Sequence, residues 1–388
     1  MTDVYADREQ TRAKHFILKR YLQALAFKVL NFSDITYVDG FSGPWETKAG
    51  DFSDSSFMIA ISALRGAQKL HFKRTGHNAR IRCFFSEKNA AAFSQLDAAV
   101  APFNKPGDHF EIKTYHGDFE DAIEVIDKFI GNSFPLVFID PTGWTGFSLD
   151  KIKALFIRPK CEVVINFMYD HVNRFANSGD ETIVASLNPI LGGPGWRDRL
   201  DPNLRRGPAV EKLFRETLKA AGQFDFVIST RIDKATVERP HFFLAYGTKS
   251  HHGLKAFRET ENKALREHAK NRATAKEKRR EDSTGTSDLF PSYLSEAQEQ
   301  SIDDIVAEQI DAANNDLTET LRRCGHMDFS AVVAKLLQAY VIRETNVKDI
   351  CVDLARAGKI ANTWGTVNRK PSDGCSIRLP NASDVRAT

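Results

Sequence analysis

Four carboxylates carry the first chemical signal: Asp39, Glu87, Asp118 and Asp140 each close or closely follow an apolar run, in ITYVD, IRCFFSE, FEIKTYHGD and PLVFID. One acid after such a run caps a helix as readily as it serves a ligand. A series of them at successive strand ends lines up acceptors along one edge. Asp140 opens the string D-P-T-G-W. Its carboxylate and the Pro141 carbonyl can accept the hydrogens of an amine and aim the nitrogen lone pair, and Trp144 offers a surface for stacking. Positioning alone then supplies most of the rate of an in-line displacement, without a strong base. Asp39 opens D-G-F-S-G-P-W, in which Gly40 and Gly43 let backbone approach a ligand closely beside Phe41. Glu87 can hold two neighbouring hydroxyls bidentately. Asp118 with Phe119 sets an acceptor next to a ring.

These residues need a frame that holds them together. Residues 14–31 place Ile17, Leu18, Tyr21, Leu22, Leu25, Val29 and Leu30 on one helical stripe. Short apolar runs then alternate with helical segments: strands at 35–38, 81–87, 110–118, 135–144 and 161–168, helices at 55–68, 88–100 and 119–130. FDFVISTRI and HFFLAYGT read as a closing pair. This alternation predicts an α/β fold, an open and mostly parallel Rossmann-like sheet covered on both faces. Ligands on such sheets bind beyond the C-terminal strand ends, where the strand order reverses. The first glycine turn has neither G-x-G-x-x-G nor G-x-x-x-x-G-K-[ST], which argues against a dinucleotide fingerprint and excludes a P-loop.

The motifs resemble those of S-adenosylmethionine-dependent methyltransferases. Asp39, Gly40, Phe41 and Gly43 are similar to the D-x-F-x-G-x-G cofactor loop, with Trp45 where its last glycine would stand. The resemblance implies that Glu87 holds the ribose and that Asp118 and Phe119 contact the adenine. D-P-T-G-W is similar to the (D/N)-P-P-(Y/F) string of enzymes that methylate exocyclic amines, with Thr142 and Gly143 as departures. Trp144 would then stack a flipped base. In combination, KHFILKRYLQAL, YVDGFSGPWE, FIDPTGWTGFSL, INFMYDHVNRF and AYGTKSHHGLKAFRE resemble the three-Cys-motif partner family, over about residues 14–260. That likeness implies a Rossmann-like methyltransferase fold and an association with a radical-enzyme-like protein from an adjacent gene.

On the substrate side, Asn173 and Arg174 follow the fifth strand, and the loop GGPGWRDRLDPNLRRGP carries Trp196, Arg197 and Arg199. Arginines with an aromatic suit a flipped base and a phosphate backbone, which points to RNA or DNA as partner. The 255–282 stretch is highly charged with little apolar stripe and reads as a solvated helix, and STGTSD (283–288) reads as a linker. These divide the chain into a methyltransferase domain over 1–285 and a helical C-terminal domain over 286–388. Its helix–helix–turn–strand order resembles a winged helix.

Composition sets the outer bounds. The 388 residues are 42% hydrophobic and 10% aromatic, which is globular composition with room for more than one core. A net charge of +3 excludes a histone-like polycation. The five cysteines form no CxxC and no Cys/His set with zinc spacing, and His251-His252 is poor spacing for one ion, so no metal is assigned. The charged start DREQTRAKH is no signal peptide and no apolar run approaches a membrane span, so a cytoplasmic protein is expected. The rival reading is a non-catalytic or nuclease-like defence or partner protein that keeps the same fold as a scaffold.

Overall fold

The computed structural model describes residues 4–44, 47–141, 143, 145–176, 178–284, 291–365 and 369–381. The chain forms two compact units, Met1–Gly253 and Leu254–Thr388.

The first unit is built on a seven-stranded sheet of order β3-β2-β1-β4-β5-β7-β6. Its strands are β1 (Ile35–Asp39), β2 (Ile81–Glu87), β3 (Phe110–His116), β4 (Phe134–Ile139), β5 (Glu162–Phe167), β6 (Phe226–Asp233) and β7 (Pro240–Thr248). The first five pair in parallel, while β7 runs antiparallel between β5 and β6. The β6–β7 closing pair is the one expected from the sequence. β1, β4 and β5 are buried along their whole length, which is why they are mostly apolar, with Thr36, Asp39, Glu162 and Asn166 as the buried polar exceptions.

Helices α1 (Glu9–Val29), α2 (Ser56–Thr75), α3 (Ala90–Val100) and α4 (Ile123–Ile130) accompany the parallel strands. The short α5 (Leu149–Ile152), α6 (Tyr169–Phe175), α7 (Glu181–Ala185) and α8 (Asn188–Leu191) precede α9 (Arg206–Gly222). This is the Rossmann-like α/β sheet that the alternating pattern predicts. Its strand order reverses between β1 and β4, so the crevice between their C-terminal ends is where this architecture places a ligand.

The second unit holds α10 (His251–Thr284), most of which lies in it, α11 (Pro291–Cys324), β8 (His326–Asp328), α12 (Phe329–Ala339), α13 (Glu344–Arg356) and β9 (Ser376–Arg378). β8 and β9 pair antiparallel, and Ala361 N–H donates to the Arg378 carbonyl at 2.9 Å, so the chain after α13 returns alongside β9.

The units divide at 253/254, ahead of the expected boundary at 285/286. The charged α10 is the reason. Leu254, Phe257, Ala264, Ala269 and Ala273 are buried, and so are Arg258 and Glu261, whose side chains pair at 2.6 Å. Arg258 Nε also donates to the Leu337 carbonyl at 2.7 Å. Half of the buried stripe is thus written in alanines and in a satisfied ion pair, and apolar periodicity cannot register it. Among the described residues, no helix is long and apolar enough to cross a membrane.

Candidate functional site

Strand register assembles the site. β1 pairs with β4 as Asp39↔Phe138, and β4 pairs with β5 as Ile139↔Ile165. One step further along, Asp140 meets Asn166, and Asn166 Nδ2 donates to Asp140 Oδ1 at 2.7 Å. The other carboxylate oxygen accepts from Lys14 Nζ at 2.5 Å, in a pair that is mostly buried at 12% and 15% side-chain exposure. Lys14 comes from α1, so the N-terminal half of that helix lies over the strand ends.

These residues belong to a cavity of about 370 Å³, within the range of small-molecule sites. Phe41 and Gly43 of the first turn line it, with Asp140, Pro141 and Asn166 from the ends of β4 and β5 and with His241 and Phe242 of β7. Arg8, Thr11, Lys14 and His15 of the α1 region complete it with Asp54. Arg8 bridges Asp54 at 3.0 Å, and Asp54 also accepts from the Lys48 backbone N–H at 2.9 Å, which fixes the 48–54 loop. The cations and carboxylates of the wall therefore answer one another. Burial, then the nearby Lys14 and Arg8, hold the His15 imidazolium well below its usual range, and burial lowers His241 too, so both rings are neutral at pH 7. Three polar atoms of this wall, Arg8 Nε, Asn166 Oδ1 and His241 Nδ1, are buried without a hydrogen-bond partner. A wider groove of about 940 Å³ lies at the opposite, N-terminal strand ends beside Asp34, Arg82 and Ser133. We place the site in the smaller cavity because it occupies the switch-point crevice.

Asp39 lies at the foot of the first turn and organises it. Its carboxylate accepts from Phe41 N–H at 3.1 Å and from Ser56 Oγ at 2.8 Å, and Ser42 Oγ donates to its carbonyl at 2.9 Å. Burial pushes the acid up to about 6 against those hydrogen bonds. The same turn is laced to β2, for Ser42 N–H donates to the Ser86 carbonyl at 2.9 Å and Ser86 Oγ to the Gly40 carbonyl at 3.0 Å. Glu87, 4% exposed, follows Ser86 and accepts from Asn89 N–H at 2.7 Å. Gly117 N–H donates to the Glu87 carbonyl at 3.1 Å, which brings the start of the Asp118–Phe119 turn to the same rim. Asp118 is exposed, 3.8 Å from Lys88 Nζ.

The expected residues thus fall into groups. Asp140, Pro141, Phe41 and Gly43 line one cavity, and Asp39 and Gly40 shape its loop. Glu87 and Asp118 lie along the neighbouring rim over β2 and β3. Trp144, with Thr142 and Trp45, lies outside the described residues. Phe119 needs correcting: at 2% exposure its ring packs in the core, and a Cβ on Gly40 would meet it at 2.8 Å. Gly40 is therefore needed to admit Phe119.

The substrate-side expectations are corrected as well. Trp196 is 1% exposed, with its indole N–H donating to the Val184 carbonyl at 3.4 Å, so it is a core residue with no face left for stacking. Arg197 donates to the carbonyls of Ala176 and Ser178 at 3.0 and 2.8 Å, and Arg199 to that of Leu191 at 2.6 Å. Both arginines tie off helix ends. Asn173 accepts from Arg206 Nε at 3.2 Å, Arg174 is exposed, and neither lines the cavity. Lys14, Asn166, Arg8 and His241 are site residues that motif reading did not single out. Asn166 carries no motif of its own, and it meets Asp140 because the sheet sets β5 beside β4.

The chain matches no family model and no curated protein. Among solved structures it is similar to the O-methyltransferase TomG from Streptomyces achromogenes, involved in tomaymycin synthesis and in complex with SAM. That match has 13% identity and a TM-score of 0.31, covering 64% of this chain and 92% of that one. It is also similar to loganic acid methyltransferase with SAH, at 9% identity and a TM-score of 0.30, covering 78% and 92%. At these values neither likeness bears on the residues of the cavity.

Proposed function

We propose that this chain is an S-adenosylmethionine-dependent methyltransferase whose acceptor is an exocyclic amine of a nucleic-acid base. The observation that carries the reading is the carboxylate of Asp140, held from both sides by Lys14 and Asn166 inside the switch-point cavity. The donor set suits the cofactor. The buried Glu87 carboxylate at the end of β2 fits a pair of ribose hydroxyls, with Asp118 beside it and the Asp39–Gly43 turn between it and the cavity. When bound, the cofactor supplies a methyl group on a cationic sulfur.

The chain's own residues would do the rest. Asp140 accepts from the amine, since a carboxylate can accept several hydrogen bonds at once and the partners it already has leave its orientation fixed. Pro141 rigidifies the backbone at that point. Lys14 balances the carboxylate charge, so a neutral acceptor enters without leaving a buried charge unpaired.

Truncating Asp140 tests the assignment. Asp140→Ala should leave S-adenosylmethionine affinity within about threefold, while methyl transfer from labelled cofactor to bulk RNA or DNA falls by ~10²-fold or more. A lower melting temperature with unchanged turnover per folded molecule would reduce Asp140 to a structural partner of Lys14.

For the second unit, we read α12 and α13 with the β8–β9 ribbon as a winged helix that docks a protein. Outward positions of α13 carry Asp349, paired with Lys370, and Asp353, 3.6 Å from Arg356. With Lys348 also paired to Glu344, the outward charges of α13 balance, so this face offers no positive stripe for a phosphate backbone and suits a protein surface. A product of an adjacent gene, as the family resemblance implies, is the partner to try first.

A further inference from the structure

Asn166 is 4% exposed and lines the cavity, and its two side-chain ends are treated unequally. Nδ2 donates to Asp140 Oδ1 at 2.7 Å and lies 3.4 Å from Met168 Sδ, while Oδ1 has no partner. Buried amide oxygens are almost always satisfied, so an unpartnered one on a cavity-lining side chain points to a donor that arrives with a ligand. The bond to Asp140 fixes which end of the amide is left without a partner, since reversing the amide would set an oxygen against a carboxylate. Lys14 meanwhile neutralises Asp140 from the other side at 2.5 Å.

We propose that Asn166 is the second acceptor for the reacting amine and a determinant of substrate class: Asn166 Oδ1 takes one N–H, Asp140 takes the other, and the group selected is a neutral NH₂. This rests on the acceptor-site reading given above. A protonated amine has no lone pair to offer, and it would add a positive charge beside one that Lys14 already contributes. An NH₂ held by both hydrogens cannot rotate, so its lone pair points one way. In the transfer, the nitrogen gains the methyl carbon as the carbon–sulfur bond breaks with its electron pair passing to sulfur. The nitrogen then loses one proton to water.

The test uses the full chain with S-adenosylhomocysteine present. The probes are short single-stranded RNA and DNA oligonucleotides in matched pairs that differ by one amine: guanosine against inosine, cytidine against pyrimidin-2-one riboside, adenosine against purine riboside. Affinities are read by fluorescence anisotropy. The wild type should favour the amine-bearing member of at least one pair by about a hundredfold, the worth of two buried hydrogen bonds. Asn166→Leu and the smaller Asn166→Thr should cut that preference by about tenfold, leaving the share that Asp140 holds, with S-adenosylmethionine affinity within about threefold of wild type. Two variants are used so that a folding defect in one does not decide the matter. No preference in any pair for the wild type, or a preference kept in full by both variants, would overturn the proposal. A chain that binds no S-adenosylmethionine yet shows the Asn166-dependent preference would sink the methyltransferase reading and leave the acceptor role standing.

Discussion

Asp39 shows how a residue can sit at the right place in a motif and do a different job from the one its position suggests. Its carboxylate is fully enclosed and spent on Phe41, Ser56 and the turn, so it shapes the loop that faces the cavity without itself lining it. Burial raises the acid to about 6, well above the ordinary aspartate range. Between about pH 4 and 6 the folded chain therefore keeps a proton that the unfolded chain has released. The sign follows directly: this group makes folding less favourable as pH rises through that window, by on the order of 2–3 kcal/mol in all. Asp39→Asn can still accept from Phe41 and carries no charge to bury. Urea melts at pH 4.5 and 7 should show the stability difference, variant minus wild type, growing more positive by about 2 kcal/mol at the higher pH, since part of the effect is already present at pH 4.5. Equal pH slopes in the two proteins would mean that Asp39 is ionised without penalty.

At the scale of elements, the loop between α8 and α9 is where composition misled most. A Gly/Pro-rich string with arginines and a tryptophan has the makeup of a nucleic-acid contact, yet its side chains close the core and the helix ends. Composition cannot distinguish an arginine that meets a phosphate from one that meets carbonyls, because both partners are anionic oxygens or partial ones. Trp196→Ala should accordingly cost about 3–5 kcal/mol of stability, as large core truncations do, with oligonucleotide affinity of the folded fraction unchanged. A loss of binding at full stability would restore the contact role. The strands themselves were legible, since β1, β2, β4 and β5 are apolar runs with polar ends. Their register was not: pairing Asp140 with Asn166 depends on which strands are neighbours, and only the sheet order decides that. Lys14 was hidden for a related reason. It heads the apolar stripe itself, three and four residues before Ile17 and Leu18, where a lone lysine reads as the solvated end of a buried face.

On the scale of the whole molecule, the chain joins a Rossmann-like unit to a separate helical unit, and the candidate site lies entirely within the first. Most of α10 falls in the second unit, and its buried face, made from alanines and paired charges, gives no apolar periodicity by which the sequence could show this. The central claim is that the rim over β1 and β2 receives S-adenosylmethionine, which puts Glu87 on its hydroxyls. Isothermal titration of the full chain with S-adenosylmethionine and S-adenosylhomocysteine, repeated for Glu87→Ala, tests it most directly. The account predicts saturable binding by the wild type and a loss of about 1.5–3 kcal/mol in the variant, roughly 10- to 150-fold in affinity, as charge-assisted hydrogen bonds are removed. A folded wild type that takes up neither ligand, or a Glu87→Ala variant that binds as tightly as wild type, would contradict it.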